Sequence, residues 1–340
     1  MMTRKLITGI LAMTGMLFLI LDSQTALAGG LAGVQICVMQ VIPALLPFFV
    51  LSILISSAFT GTDIPILRPL GRLCRIPRGS ESLLLLGLLG GYPTGAQGVC
   101  HAYRQGQLSR EDTNRLLGFC SNAGPSFLFG IVSTVFPYRW IPWALWAIHI
   151  SGALIAGILL PGGSHATVRL PAKKSATFIE ALEQAIRIMA KVCGWIILFR
   201  VLQSFLERWL LWMFSLEIRV GIIGLLELAN GCLELATVSD LGLRILLCST
   251  FLSLGGLCVT MQTLSVTGSV GLGMYIPGKL LQSTVCILLT LILQWFFLYD
   301  SQITPHTPLL ITIFVVFLAI FTIVLHKYEK NSSIPALVGV

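Results

Sequence analysis

The sequence predicts an all-α polytopic membrane protein, with about eight full transmembrane helices plus two re-entrant hairpins in two inverted-topology repeats. Three observations carry this. Hydrophobic residues make up 56% of the 340 and charged residues 11%, with a mean hydropathy of +0.90, whereas a soluble domain carries roughly 25% charge. The apolar residues come in continuous runs near the ~20 residues that carry a helix across the hydrocarbon, not in the short alternating segments of a closed barrel. Two shorter apolar segments, 83–100 and 220–238, carry glycine, proline or acid in their middles and occupy matching places in the two halves.

Taken in order, residues 6–21 form the first apolar stretch, behind Arg4 and Lys5. Ala26-Leu27-Ala28 resembles a signal-peptidase site, so residues 1–33 read as an anchor or signal-like helix, with the chain outside near Gly29-Gly30. Repeat 1 covers 34–160. It opens with a span at 34–57 containing Pro43 and Pro47, whose freed carbonyls need neighbours. Arg68, Arg72, Arg75 and Arg78 precede segment 83–100, which Gly90-Gly91-Tyr92-Pro93-Thr94-Gly95 breaks, and Arg104, Arg110 and Arg115 follow it. Spans at 116–135 and 141–160 close the repeat. A cytoplasmic linker, 161–187, carries Arg169, Lys173 and Lys174. Repeat 2 covers 188–298, with a span at 188–211, the segment 220–238 with Glu227 and Glu234, and spans at 243–267 and 280–298. Residues 299–340 supply a last span at 308–326 and a basic tail with Lys327 and Lys330.

Charge sets the topology. If 83–100 crossed the membrane, one of its two arginine-rich flanks would lie outside, so it reads as a hairpin that dips in and returns, and 220–238 likewise. Both termini are then cytoplasmic. Seventeen of the 22 basic residues, Lys279 among them, fall inside, four (Arg139, Arg208, Arg219 and Arg244) fall outside, and Arg200 lies within a span. That asymmetry is the one cytoplasmic loops carry.

The order span, hairpin, span, span occurs twice. Gly87-Leu88-Leu89 echoes Gly224-Leu225-Leu226, and Asn122-Ala123-Gly124-Pro125 falls where Leu254-Gly255-Gly256-Leu257 falls. One copy enters from outside and the other from inside. Interrupted segments in inverted repeats point to a transport site near the midplane, while close packing through small residues is the plainer alternative. The candidate substrate-binding residues follow. Tyr92, Thr94 and Gln97 offer polar side chains, and Gly95 lets backbone N–H groups approach a ligand. Asn122 and Gly124 precede a helix start at Pro125 that could face an anion. Glu227, Asn230 and Gln262 lie in the second half's interruptions, with Glu227 a candidate for a coupling proton or sodium ion. Arg200 stands in an apolar run, where a charge is costly and usually used. Its fork suits a carboxylate, and the alternative is a fixed pair with Glu227.

The net charge of +8 reflects cytoplasmic loops, not nucleic-acid binding, since no basic patch interleaved with aromatics is present. The nine cysteines and five histidines have no zinc spacing, so no metal and no cofactor is expected. Without a nucleophile–base pair an enzyme is not expected either. The partners implied are the lipid bilayer and a small anionic molecule. Neither oligomeric state nor direction of flux is encoded in these motifs.

Pro43-Ala44-Leu45-Leu46-Pro47-Phe48-Phe49, Gly91-Tyr92-Pro93-Thr94-Gly95-Ala96 and Asn122-Ala123-Gly124-Pro125 resemble the sporulation integral membrane protein YlbJ family, of the nucleoside-recognition gate-domain group. Gly224-Leu225-Leu226-Glu227 with Gly231, and Gly255-Gly256 with Gln262, look like its second-half motifs, although the second half matches less well. The resemblance implies a role in endospore formation, in the mother-cell-derived outer forespore membrane, moving dipicolinic acid. The gate-domain group is also similar to concentrative nucleoside transporters. A nucleoside-type carrier and a non-transporting scaffold for spore morphogenesis therefore remain the alternatives.

Overall fold

The computed structural model describes residues 2–59, 64–163 and 175–297, and among them there is no strand. The span expected at 308–326 lies outside these residues with its basic tail, as do Arg169, Lys173 and Lys174. Helix α1 (Met2–Leu21) presents exposed apolar side chains from Leu6 onward, as a lipid-solvated helix does. It ends at Asp22, which caps α2 (Ser23–Ile36) by accepting from the Thr25 N–H at 3.3 Å and pairs with Arg208 at 2.9 Å.

A π-helical turn (Cys37–Val41) joins α2 to α3 (Ile42–Phe59), giving one continuous apolar helix, Ser23–Phe59. This corrects the expected loop at Gly29-Gly30 and the span start at 34. Both glycines are inside α2. A methyl group on Gly29 would stand 2.9 Å from Val201 Cα, and one on Gly33 2.9 Å from Ile197 Cα. The pair is a small-xxx-small seam that lets two helix backbones touch.

After the short α4 (Arg68–Leu73), α5 (Glu81–Leu89) and α6 (Thr94–Arg104) pack against each other as the two arms of a hairpin, turned by Gly90 to Pro93. The expected span at 116–135 is split. Helix α7 (Arg110–Leu117) ends in a non-helical stretch, and α8 (Pro125–Gly130) starts afresh, followed by a 3-10 turn at Val132–Val135. Proline favours an extended residue before it, and Gly124 has φ −76° and ψ 161°. Helix α9 (Trp140–Leu159) follows, then α10 (Phe178–Trp209). The latter begins ten residues before the expected 188, inside the supposed linker. Thr177 caps it, and Glu180 reaches back to the Thr177 N–H in a capping box.

Helices α11 (Leu216–Leu226) and α12 (Leu228–Glu234) form the second hairpin, turned at Glu227. Helices α13 (Leu241–Leu254) and α14 (Gly256–Thr267) are one apolar stretch interrupted at Gly255, whose φ of +75° only glycine adopts freely. Helix α15 (Tyr275–Phe297) completes the described fold. Among the described residues, four stretches can cross a membrane by length and composition: Ser23–Phe59, Trp140–Leu159, Leu241–Val270 and Tyr275–Phe296. Leu6–Leu21 and Pro125–Val135 are shorter apolar helices.

Arginines tie the element ends into two groups. At one end Arg104 donates to Val266 O at 2.9 Å, Arg75 donates to Ile158 O at 2.6 Å and Leu160 O at 2.8 Å, and the Ala176 N–H meets Ser57 Oγ at 3.1 Å. Arg115, only 2% exposed, also donates to the last carbonyls of α9, including Gly157 O. These bonds satisfy acceptors that a helix C-terminus leaves open. At the other end Arg208 meets Asp22, and Arg244 donates to Val135 O at 3.0 Å and to Val238 O. The α5–α6 hairpin has its free ends in the first group, and the α11–α12 hairpin exits in the second. Tyr138, Trp140, Trp209 and Trp212, all exposed, collect at that second end, as interfacial aromatics do.

Candidate functional site

The two hairpin tips are built by local chemistry. At the first, Gly91 has φ +74°, and Thr94 Oγ1 donates to Gly91 O at 2.7 Å, closing the turn. Tyr92 is carried inward, its hydroxyl donating to Leu252 O at 3.3 Å. At the second, Glu227 is extended and 2% exposed. Its carboxylate accepts from the Ala229 N–H at 3.0 Å and from the Asn230 N–H and Nδ2 at 2.7 Å each. An acid at the N-cap takes the donors that a helix start leaves open. Here it occupies the Ala229 and Asn230 donors.

The tips meet the two helix breaks. A methyl on Gly124 would lie 3.0 Å from Gly91 Cα, and one on Gly255 3.3 Å from Tyr92 Oη. One on Gly256 would lie 2.9 Å from Leu225 O. Between them is a cavity of about 470 Å³. The first tip contributes Gly91 and Tyr92, the first break Ala123, Gly124 and Ser126, the second tip Glu227 and Ala229, and α14 Val259 and Gln262. Leu45 and Phe49 of α3 and Val192 and Ile196 of α10 supply apolar walls. A second space of about 550 Å³ lies behind Val192 and Gln262, which border both. It is lined by Gln97, Gln184, Arg187, Lys191, Trp195 and Ser265.

Of the ten residues chosen from sequence, Tyr92, Gly124, Glu227 and Gln262 line the central cavity, and Gln97 lines the outer one. Thr94 and Asn230 hold the tips. Gly95 faces away from the cavity, since a methyl there would lie 2.0 Å from Cys120 O. Its role in the structure is arm-to-break packing, not backbone approach to a ligand. Asn122 Nδ2 donates to Phe119 O at 2.7 Å and Gly87 O at 3.2 Å, pinning the break to the hairpin. Arg200 is not at the cavity and does not pair with Glu227. It bonds Glu207 at 2.6 Å, two turns along α10 on the same face and part-exposed.

Sequence reading missed three buried groups. Lys279, assigned to a cytoplasmic loop, is 2% exposed and donates to Asn122 Oδ1 at 3.1 Å and Gln282 Oε1 at 2.7 Å. His149 Nε2 accepts from the Ala123 N–H at 3.2 Å, and Gln282 Nε2 donates to His149 O at 3.3 Å. A lysine at the edge of an apolar run looks like a topogenic charge. The spacing Lys279-x-x-Gln282 on one helix face was the available signal.

The chain is similar to the sporulation integral membrane protein YlbJ of Bacillus subtilis (strain 168), 25% identical over 317 residues that cover 78% of this chain and 76% of that protein. This agrees with the motif resemblance in both halves. No family model and no solved structure matches the chain.

Proposed function

We propose, from this kinship with a sporulation membrane protein, that the chain is a multi-pass membrane transporter acting in spore formation. It carries a small organic anion, dipicolinate by the family resemblance. The observation behind the reading is that both hairpin tips, the first helix break and α14, which starts at the second break, line one cavity. Irregular backbone at membrane depth persists only where protein buries it or a wet cavity needs it.

Each hairpin packs arm on arm through glycines, Gly87 with Gly95 and Gly224 with Gly231, and each leans on a break. The hairpins open toward opposite ends. We read these as inverted repeats whose rocking exposes the cavity to each side in turn. Arg187 and Lys191 beside the outer space favour entry of an anion by electrostatic steering.

The carboxylate of Glu227 in the cavity wall favours a second reading, a nucleoside-type carrier, because a carboxylate accepts from ribose hydroxyls. Uptake of labelled dipicolinate and labelled uridine into proteoliposomes separates the readings. Dipicolinate accumulation without uridine is expected. Uridine alone establishes the second reading, and movement of neither leaves a scaffold.

A further inference from the structure

Lys279 is held by neutral groups alone. Besides the two amide oxygens, its Nζ lies 5.1 Å from the centre of the Tyr92 ring and 5.9 Å from that of Tyr275. Among the described residues it forms no ion pair. An unpaired ammonium at membrane depth is expensive, and such groups usually have a task. Tyr92 also lines the central cavity, and Asn122 immediately precedes the cavity residues Ala123 and Gly124. The amine therefore stands just behind the wall that a bound anion would touch.

We infer that Lys279 binds the proton that travels with the anion, making this chain a proton–anion symporter. The inference rests on the transport reading. With the cavity empty, the amine nitrogen keeps its lone pair and bonds Asn122 and Gln282 as a neutral donor. When an anion enters, the lone pair takes a proton from a hydronium ion on the loading side: one N–H bond forms, one O–H bond of the hydronium breaks, and water is left behind. The ammonium and the anion then stabilise each other across the Tyr92 ring. The linkage is reciprocal, so protonation tightens anion binding by the factor by which the anion favours protonation. Release of the anion on the other side releases the proton there. Oxygens that a sodium ion would need, Asn122 Oδ1 and Gln282 Oε1, are already engaged by Nζ.

The titratable groups facing Lys279 are few. They are Tyr92 on the first hairpin, Cys120 in the break after α7, His149 on α9, and Tyr275 and Cys286 on α15 itself. Arg115 on α7 is turned to the α9 carbonyls, and α13 meets α15 through Ser249 and Thr290. Glu227 lies across the cavity.

The test uses the full-length protein in nanodiscs, weakly buffered at mildly alkaline pH, where dipicolinate's carboxylates are ionised and the empty-state amine is neutral. Binding is read by equilibrium dialysis and proton uptake by an indicator dye on the same samples, with sodium present and absent. The wild type should take up about one proton per dipicolinate bound, without a sodium requirement. Lys279→Gln, permanently neutral, and Lys279→Arg, permanently charged, should both bind without proton uptake, the Arg variant more tightly. His149→Gln should keep the uptake. Unchanged uptake in both Lys279 variants, uptake lost only in His149→Gln, sodium-dependent binding, or wild-type binding without a proton would overturn the inference. No wild-type binding at all would overturn the dipicolinate reading and this inference with it, and dialysis registers that outcome separately from the dye.

Discussion

Glycines in this chain do different jobs that the letter alone does not distinguish. Gly95 and Gly194 both lie inside helices. A methyl at Gly95 would overlap the Cys120 carbonyl, while one at Gly194 meets nothing within 4 Å. Gly95→Ala should therefore destabilise the protein by about 1–3 kcal/mol, the usual range for overpacking. Gly194→Ala should be neutral or slightly stabilising through helix propensity. Thermal unfolding in detergent compares them, and equal melting temperatures would remove the proposed seam between hairpin and break. Arg200 carries a second residue-level expectation. Because its partner Glu207 is part-exposed, Arg200→Gln should cost no more than about 1 kcal/mol and leave dipicolinate affinity within about twofold. A much larger loss of affinity would return Arg200 to the site. The pair was visible in principle, since residues seven apart share a helix face. The burial of Lys279 was not, because it depends on α7, α9 and the first hairpin closing around α15 from distant parts of the sequence.

Elements were more legible than residues. Gly90 to Gly95, Glu227, Pro125 and Gly255 mark four backbone interruptions in the sequence, and the structure interrupts its helices at each. What failed was the reading of small residues and helix starts. Gly29-Gly30 looks like a loop until α10 is placed beside it, and the Thr177-x-x-Glu180 box that starts α10 was read as linker. The second hairpin gives a test at this scale. Glu227 accepts three hydrogen bonds that hold the start of α12. Glu227→Ala should cost about 0.5–2 kcal/mol as a lost N-cap, and Glu227→Gln, which keeps one acceptor oxygen, should cost less. Melting temperatures in the order wild type, Gln, Ala are expected. An Ala variant as stable as the wild type would mean that the tip is held by other contacts.

Across the whole molecule, the arginine contacts sort element ends into two groups, and the hairpins open toward different ones. In a background lacking the nine native cysteines, Gln105→Cys beside the first hairpin and Thr237→Cys beside the second, both positions exposed, should behave oppositely. An impermeant external thiol reagent should label position 237 and spare 105. Labelling of both, or of neither, would contradict the inverted arrangement. The central proposal is that an anion passes through the cavity where tips and breaks converge, and a removable block tests it most directly. Ser126 lines that cavity. Uptake of labelled dipicolinate is measured for Ser126→Cys in the cysteine-free background before modification, after complete modification with a bulky methanethiosulfonate, and after reduction. Uptake that is lost on modification and restored on reduction, while the same treatment of Gln105→Cys changes nothing, is the expected result. Undiminished uptake with Ser126→Cys fully modified would contradict it.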